Sequence, residues 1–115
     1  MKQTAAISEA MAKTRPNILE LEGEIDLHVS PEVAESLRTI AAKKPKQVVV
    51  DLAKVTYLDS SGLAVLIEGM QNVQEYGGKF AVAGLQESVK HIFDIARLDQ
   101  VFRIFPTVDE ALSAD

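Results

Sequence analysis

"QVVVDLAKVTYLDSSGLAVLIEGM", residues 47–70, reads as a strand, a connection and a helix. Gln47–Leu52 is a continuous valine-rich run, the pattern of a strand covered on both faces. Residues 53–59 then read as a loop leaving the carboxyl edge of that strand. From about residue 60 to 76, Leu63, Leu66, Ile67, Met70 and Val73 or Gln74 recur at helical spacing, and Gly77-Gly78 supplies a stop. "KFAVAG", residues 79–84, is a further strand. The three pieces make a βαβ unit with an expected right-handed crossover.

Upstream, residues 5–11 alternate weakly and predict a first strand. "NILELEGEID" alternates clearly, with Leu19, Leu21, Gly23 and Ile25 on one face and Glu20, Glu22, Glu24 and Asp26 on the other. The acids read as a solvated sheet face rather than a metal site. "SPEVAESLRTIAAKK" predicts a helix with Ser30 as N-cap, Pro31 at its first position, and Val33, Leu37, Ile40 and Ala41 inward. Downstream, "QESVKHIFDIARL" predicts a helix with Val89, Ile92, Phe93 and Ala96 inward. "VFRIF" is a short strand, and Thr107 and Glu110 stand in capping-box spacing ahead of a last helix. The expectation is one α/β domain over residues 1–115, a small sandwich with a mixed sheet of four to five strands and about four helices.

The composition narrows function by exclusion. The chain has 115 residues, no cysteine and a net charge of −5. Disulfides, thiolate metal sites and cysteine nucleophiles are excluded, and the charge has the wrong sign for nucleic acid or an anionic membrane. The one basic cluster, Lys43-Lys44-Pro45-Lys46, reads as dipole complement and stop signal at a helix end. No run approaches the roughly 20 apolar residues of a membrane span, and no signal-peptide core stands at the start. A cytoplasmic location is expected, with no cofactor and no metal.

Function then turns on Asp59-Ser60-Ser61-Gly62, delivered to a helix N-terminus beyond the carboxyl end of a strand, where ligands of open α/β sheets tend to sit. Three readings compete. Asp59 or Ser60 caps the helix, which leaves Gly62 unexplained because glycine costs about 1 kcal/mol inside a helix unless something must approach its backbone. A catalytic serine is the second, opposed by the missing G-x-S-x-G pattern and by the lack of any base beyond His28 and His91. The third is a phosphoacceptor: a phosphate brings about −1.5 to −2 charge to the positive end of a helix dipole. Asp59, or a partner surface built for a neutral hydroxyl, would repel that charge. Spacing alone does not separate Ser60 from Ser61.

"VVVDLAKVTYLDSSGLAVLI" resembles the signature of the STAS domain of bacterial anti-sigma factor antagonists, a strand ending in D-L followed by an apolar-anchored loop and D-S-S-G-L. "LEGEIDLHVSPEV" is similar to the upstream strand, turn and helix of that family. "GGKFAVAGLQESVKHIFDIARLDQVFRIFPTVDEAL" follows its second half, so the resemblance covers about residues 16–113. It implies partner switching by a non-enzymatic protein. The unphosphorylated antagonist binds an anti-sigma factor serine kinase of the GHKL type and frees the sigma factor. Phosphorylation on the first serine after the aspartate, here Ser60, ends binding, and a metal-dependent serine phosphatase restores it. By position, Asp59, Ser61 and Gly62 fall in the contact surface and Asp26 near the same face. Such domains also serve as subunits of membrane lipid-transport ATPase complexes or as switches with other outputs, and those alternatives stay open.

Overall fold

The computed structural model describes residues 17–114. The strand expected over residues 5–11 lies outside them. In chain order the elements are β1 (Ile18–Ile25), α1 (Ser30–Ala42), β2 (Gln47–Leu58), α2 (Ser60–Glu75), β3 (Lys79–Ala83), α3 (Glu87–Ile95), a 3-10 turn (Leu98–Gln100), β4 (Arg103–Phe105) and α4 (Val108–Ser113). The sheet runs β1-β2-β3-β4 with every described neighbour parallel. A mixed sheet would need a strand beyond the described residues.

Sequential parallel strands require a crossover at each step. The helices α1, α2 and α3 supply them, burying Val33, Leu37, Leu66, Met70, Val73, Val89 and Phe93 against Leu21, Val50, Leu52 and Val82 in one core. The opposite face holds a smaller cluster, where Ala111 of α4 covers Ile18, Val49, Ala81 and Ala83. Both faces of central β2 are therefore covered, as its valine run predicts.

Several local expectations change. β2 continues through Leu58 instead of ending at Leu52. Glu20 pairs with Asp51 but Glu22 with Lys54, and Gly23 pairs with Val55 but Glu24 with Tyr57. β2 thus carries an extra residue at two places, the signature of bulges. Beyond Val50 its buried residues fall at Leu52, Val55 and Leu58, a spacing of three that hides the rest of the strand from an alternation test. The loop expected over 53–59 shrinks to Asp59 alone.

Ser30 is not the N-cap of α1. The helix takes Ser30 into its first turn, Val29 is the cap without a side-chain bond, and Ser30 is 4% exposed. Asp26 turns the chain instead, its Oδ1 accepting from the His28 N–H at 3.0 Å and the Val29 N–H at 3.4 Å. Glu20 is also not on open surface: it is 8% exposed, with Lys54 Nζ 3.8 Å away. Ala96 is exposed because α3 ends at Ile95 and Arg97 adopts φ 61°. Thr107 does cap α4, accepting from the Glu110 N–H at 3.1 Å. The C-terminus of α2 also follows expectation: Gly77, at φ 88°, and Gly78 donate to Gln74 and Val73 carbonyls, a Schellman closure.

Candidate functional site

Strand β2 ends at Leu58 and helix α2 begins at Ser60, so Asp59 alone turns the chain. Its backbone is extended, and its N–H donates to the Ile25 carbonyl of β1 at 3.2 Å. That bond ties the helix start to the sheet. Asp59 Oδ1 then accepts from the Gly62 N–H at 3.0 Å and from the Ser61 hydroxyl at 2.6 Å. Asp59 is therefore the N-cap, and Ser60 is not.

These bonds favour the carboxylate over the acid. The Ser61 hydroxyl first, and then the Gly62 N–H, hold the Asp59 carboxyl below its ordinary 3.8. An ionised carboxylate thus occupies the positive end of the α2 dipole at neutral pH.

The two serines differ. Ser61 is half-buried with its hydroxyl committed to Asp59. Ser60 is exposed, and among the described residues no hydrogen bond engages its hydroxyl. Neither His28 nor His91 is hydrogen-bonded to either serine. A nucleophile relay is not assembled here.

Gly62 is buried, and the reason lies inside the fold. A Cβ at this position would meet the Ile25 carbonyl oxygen at 2.8 Å and Leu58 Cδ2 at 2.9 Å. The close approach inferred from the sequence is that of β1 and β2 to the helix backbone. Asp26, at the other end of the β1 turn, is half-buried and shapes the loop that leads into α1. The structure thus brings Asp59, Ser60, Ser61 and Gly62 together at the carboxyl end of β2. Asp26 lies one residue beyond Ile25, whose carbonyl accepts the Asp59 N–H.

Two neighbours were not singled out from the sequence. Leu27, next to Asp26, is 71% exposed, and Tyr57, two residues before Asp59, is 47% exposed. The available signal was a large apolar side chain within an otherwise polar turn, which becomes informative only once exposure is known. Bonds from Gln86 Nε2 to the Ala53 carbonyl and from Ser88 Oγ to the Thr56 carbonyl bind the start of α3 to the bulged end of β2. Among the described residues no group of three His, Asp or Glu could hold a metal, and no helix is long and apolar enough to cross a membrane.

Known proteins resemble this chain in sequence and fold. The chain is 30% identical over 96 residues, 84% of its own length and 78% of the relative's, to the anti-sigma-F factor antagonist RsfB of Mycobacterium tuberculosis. The crystal structure of an anti-sigma factor antagonist from Mycobacterium paratuberculosis superposes with TM-score 0.78 at 25% identity, covering 96% of this chain and 91% of that one. The phosphorylated form of the Bacillus cell fate determinant SpoIIAA shares the fold, with TM-score 0.64 at 18% identity over 83% of this chain and 86% of that one. Residues 9–111 match the STAS domain, and with them the strand-to-helix turn at Asp59. This chain belongs to the STAS domain family.

Proposed function

We propose that this protein is an anti-sigma factor antagonist, switched by phosphorylation of Ser60. Its unphosphorylated form binds an anti-sigma factor serine kinase of the GHKL type, which frees the sigma factor. The observation that carries the choice of residue is the division of labour between the two hydroxyls: Ser61 donates to Asp59, whereas Ser60 is exposed and unengaged. A half-buried hydroxyl held within the cap is hard for another protein's active site to reach, and an exposed, unengaged one can enter it.

In the transfer, the Ser60 oxygen forms a bond to the γ-phosphorus of ATP as the bond to the ADP oxygen breaks. The hydroxyl proton leaves to a base of the kinase, since among the described residues no base is hydrogen-bonded to Ser60. The chain is a substrate and a binding partner, not an enzyme. The added charge finds the first-turn Gly62 N–H already held by Asp59, so it stands against that carboxylate and projects outward. That placement leaves the fold intact and spoils a surface made for a neutral hydroxyl. A metal-dependent serine phosphatase resets the switch in the cytoplasm.

The relatives named as antagonists of anti-sigma factors support this reading, as does the existence of a phosphorylated form of SpoIIAA. Asp26, Asp59 and Ser61 contribute to the contact surface. Gly62 contributes by letting the helix start sit against β1, and Leu27, next to Asp26, and Tyr57, two residues before Asp59, add exposed apolar area. Incubation with the cognate kinase and ATP should add one phosphate, which Ser60→Ala abolishes and Ser61→Ala retains. Equal labelling of the Ser60→Ala variant would overturn the assignment. Ser60→Asp should fold but lose kinase binding.

A further inference from the structure

At the end of the sheet opposite Ser60 lies a cleft of about 570 Å3, formed where β2 and β3 begin and where α1, α2 and α4 end. Lys44, Lys46 and Lys79 line it, with Tyr76, Gln47 and Leu112 among the remaining walls, and among the described residues no acidic one lines it. Three lysines thus border one concavity in a chain whose net charge is −5.

Of the basic cluster that the sequence reads as a dipole complement, Lys43 is the C-cap of α1 and Lys44 follows it. Neither α1 nor α2 has a basic residue in its last turn. The final carbonyls are met by backbone donors: Lys43 and Lys44 N–H groups on α1, Gly77 and Gly78 N–H groups on α2. Nor are the ammonium groups neutralised, since among the described residues none of the three forms an ion pair. The frame around them is fixed. The Tyr76 hydroxyl donates to the Pro45 carbonyl at 2.8 Å, the Lys79 N–H donates to the Lys46 carbonyl at 2.9 Å, and Gln47 Nε2 donates to the Ala114 carbonyl at 3.1 Å. Burial pushes the Tyr76 hydroxyl up from its ordinary 10.0. Lys44 sits at φ 52°, a conformation unusual for a side-chain-bearing residue, on the rim.

We propose that this cleft is a binding site for a small organic phosphate, its anionic end held by Lys44, Lys46 and Lys79 and its apolar body set against Tyr76 and Leu112. Uncompensated like charges in a concave, partly apolar site are relieved by a multiply charged anion, and the walls favour one that carries an apolar group. The site lies at the far end of α2 from Ser60, so it does not depend on the phosphoswitch, and a ligand here leaves that face open.

The test is an NMR titration of the full chain with inorganic phosphate, pyrophosphate and phenyl phosphate at low ionic strength. Saturable shifts of the Gly77, Gly78 and Lys79 amides are expected, with Ser61 and Gly62 unmoved and phenyl phosphate binding more tightly than phosphate. Lys46→Gln combined with Lys79→Gln should weaken binding by roughly tenfold or more, because contacts to an anion are electrostatic. Tyr76→Ala should remove the advantage of the phenyl group. These lysines are exposed, so a melting curve will show the double variant folded. Shifts that fail to saturate or scatter over the surface would overturn the proposal. So would undiminished affinity in the folded double variant, or equal affinity for phosphate and phenyl phosphate.

Discussion

The Ser61 hydroxyl donates to Asp59 Oδ1 at 2.6 Å, and this bond gives adjacent serines different chemistry. It also makes Ser61 a structural residue that can be tested without any partner. Ser61→Ala removes the group that does most to hold the Asp59 carboxyl low, so the Asp59 pKa should rise toward 3.8. The variant should melt slightly below the parent, and on the proposed function Ser60 should still take up phosphate. An NMR titration of the Asp59 carboxyl reads the first effect, and phosphopeptide mapping reads the second. An Asp59 titration unchanged by the substitution would show that the hydrogen bond does not operate in solution.

Because the folded state holds Asp59 below its ordinary 3.8, the unfolded chain binds more protons in that range. The contribution of Asp59 to stability is complete above pH 3.8 and is lost as pH falls through the lowered value. Asp59→Asn, which cannot ionise, should be less stable than the parent at neutral pH. The gap should narrow as the pH drops below 3.8. Urea midpoints at pH 7 and in the acid range measure it, and parallel curves would exclude the linkage.

Gly62→Ala places a methyl 2.8 Å from the Ile25 carbonyl oxygen, against backbone that cannot yield cheaply. Helix propensity favours alanine by about 1 kcal/mol, but overpacking costs about 1–3 kcal/mol. The steric term should win, giving a net loss. Chemical denaturation decides the sign, and a stabilised variant would show that β1 and α2 separate easily.

The spacing in the sequence located α2 from its start to the glycines at its end, because an amphipathic helix and its glycine stop are local devices. It lost β2 after Leu52, because bulges displace the inward residues to Leu52, Val55 and Leu58 and no alternation survives. The same limit applies to capping. Ser30 and Asp26 are both plausible near a helix start, and the chain path, absent from the sequence, hands the turn to Asp26. At the site, the order D-S-S-G was legible. Which serine is committed was not, since Ser60 and Ser61 differ only in the direction that the first helical turn sends their side chains.

The end of α3 provides a paired test of burial. Phe93 is fully buried, its ring centroid 5.6 Å from that of Phe102, whereas Ala96 lies beyond the helix and is exposed. Phe93→Ala should cost about 3–5 kcal/mol, and Ala96→Ser within about 0.5 kcal/mol of nothing. Comparable losses from the two in thermal or urea unfolding would restore the longer helix that the sequence suggests.

Asp26 remains the residue for which shape and recognition must be separated. Its Oδ1 accepts from the His28 and Val29 N–H groups, so part of its value is a turn that orients exposed Leu27 beside the Asp59 end of the sheet. Asp26→Ala removes the acceptor and should cost about 1 kcal/mol, the usual effect of losing a side-chain bond to a helix-entry N–H. Asp26→Asn keeps the acceptor oxygen and removes only the charge, so its melting temperature should stay near that of the parent. The two variants then divide the possible roles. If Asp26 meets the kinase through its charge, Asp26→Asn loses binding while fully folded. If it acts by holding the loop, Asp26→Asn binds normally and only Asp26→Ala fails. The measurement is kinase affinity beside melting temperature for both, and we expect Asp26→Asn to lose affinity because a carboxylate at this edge can pair with a cation of the partner.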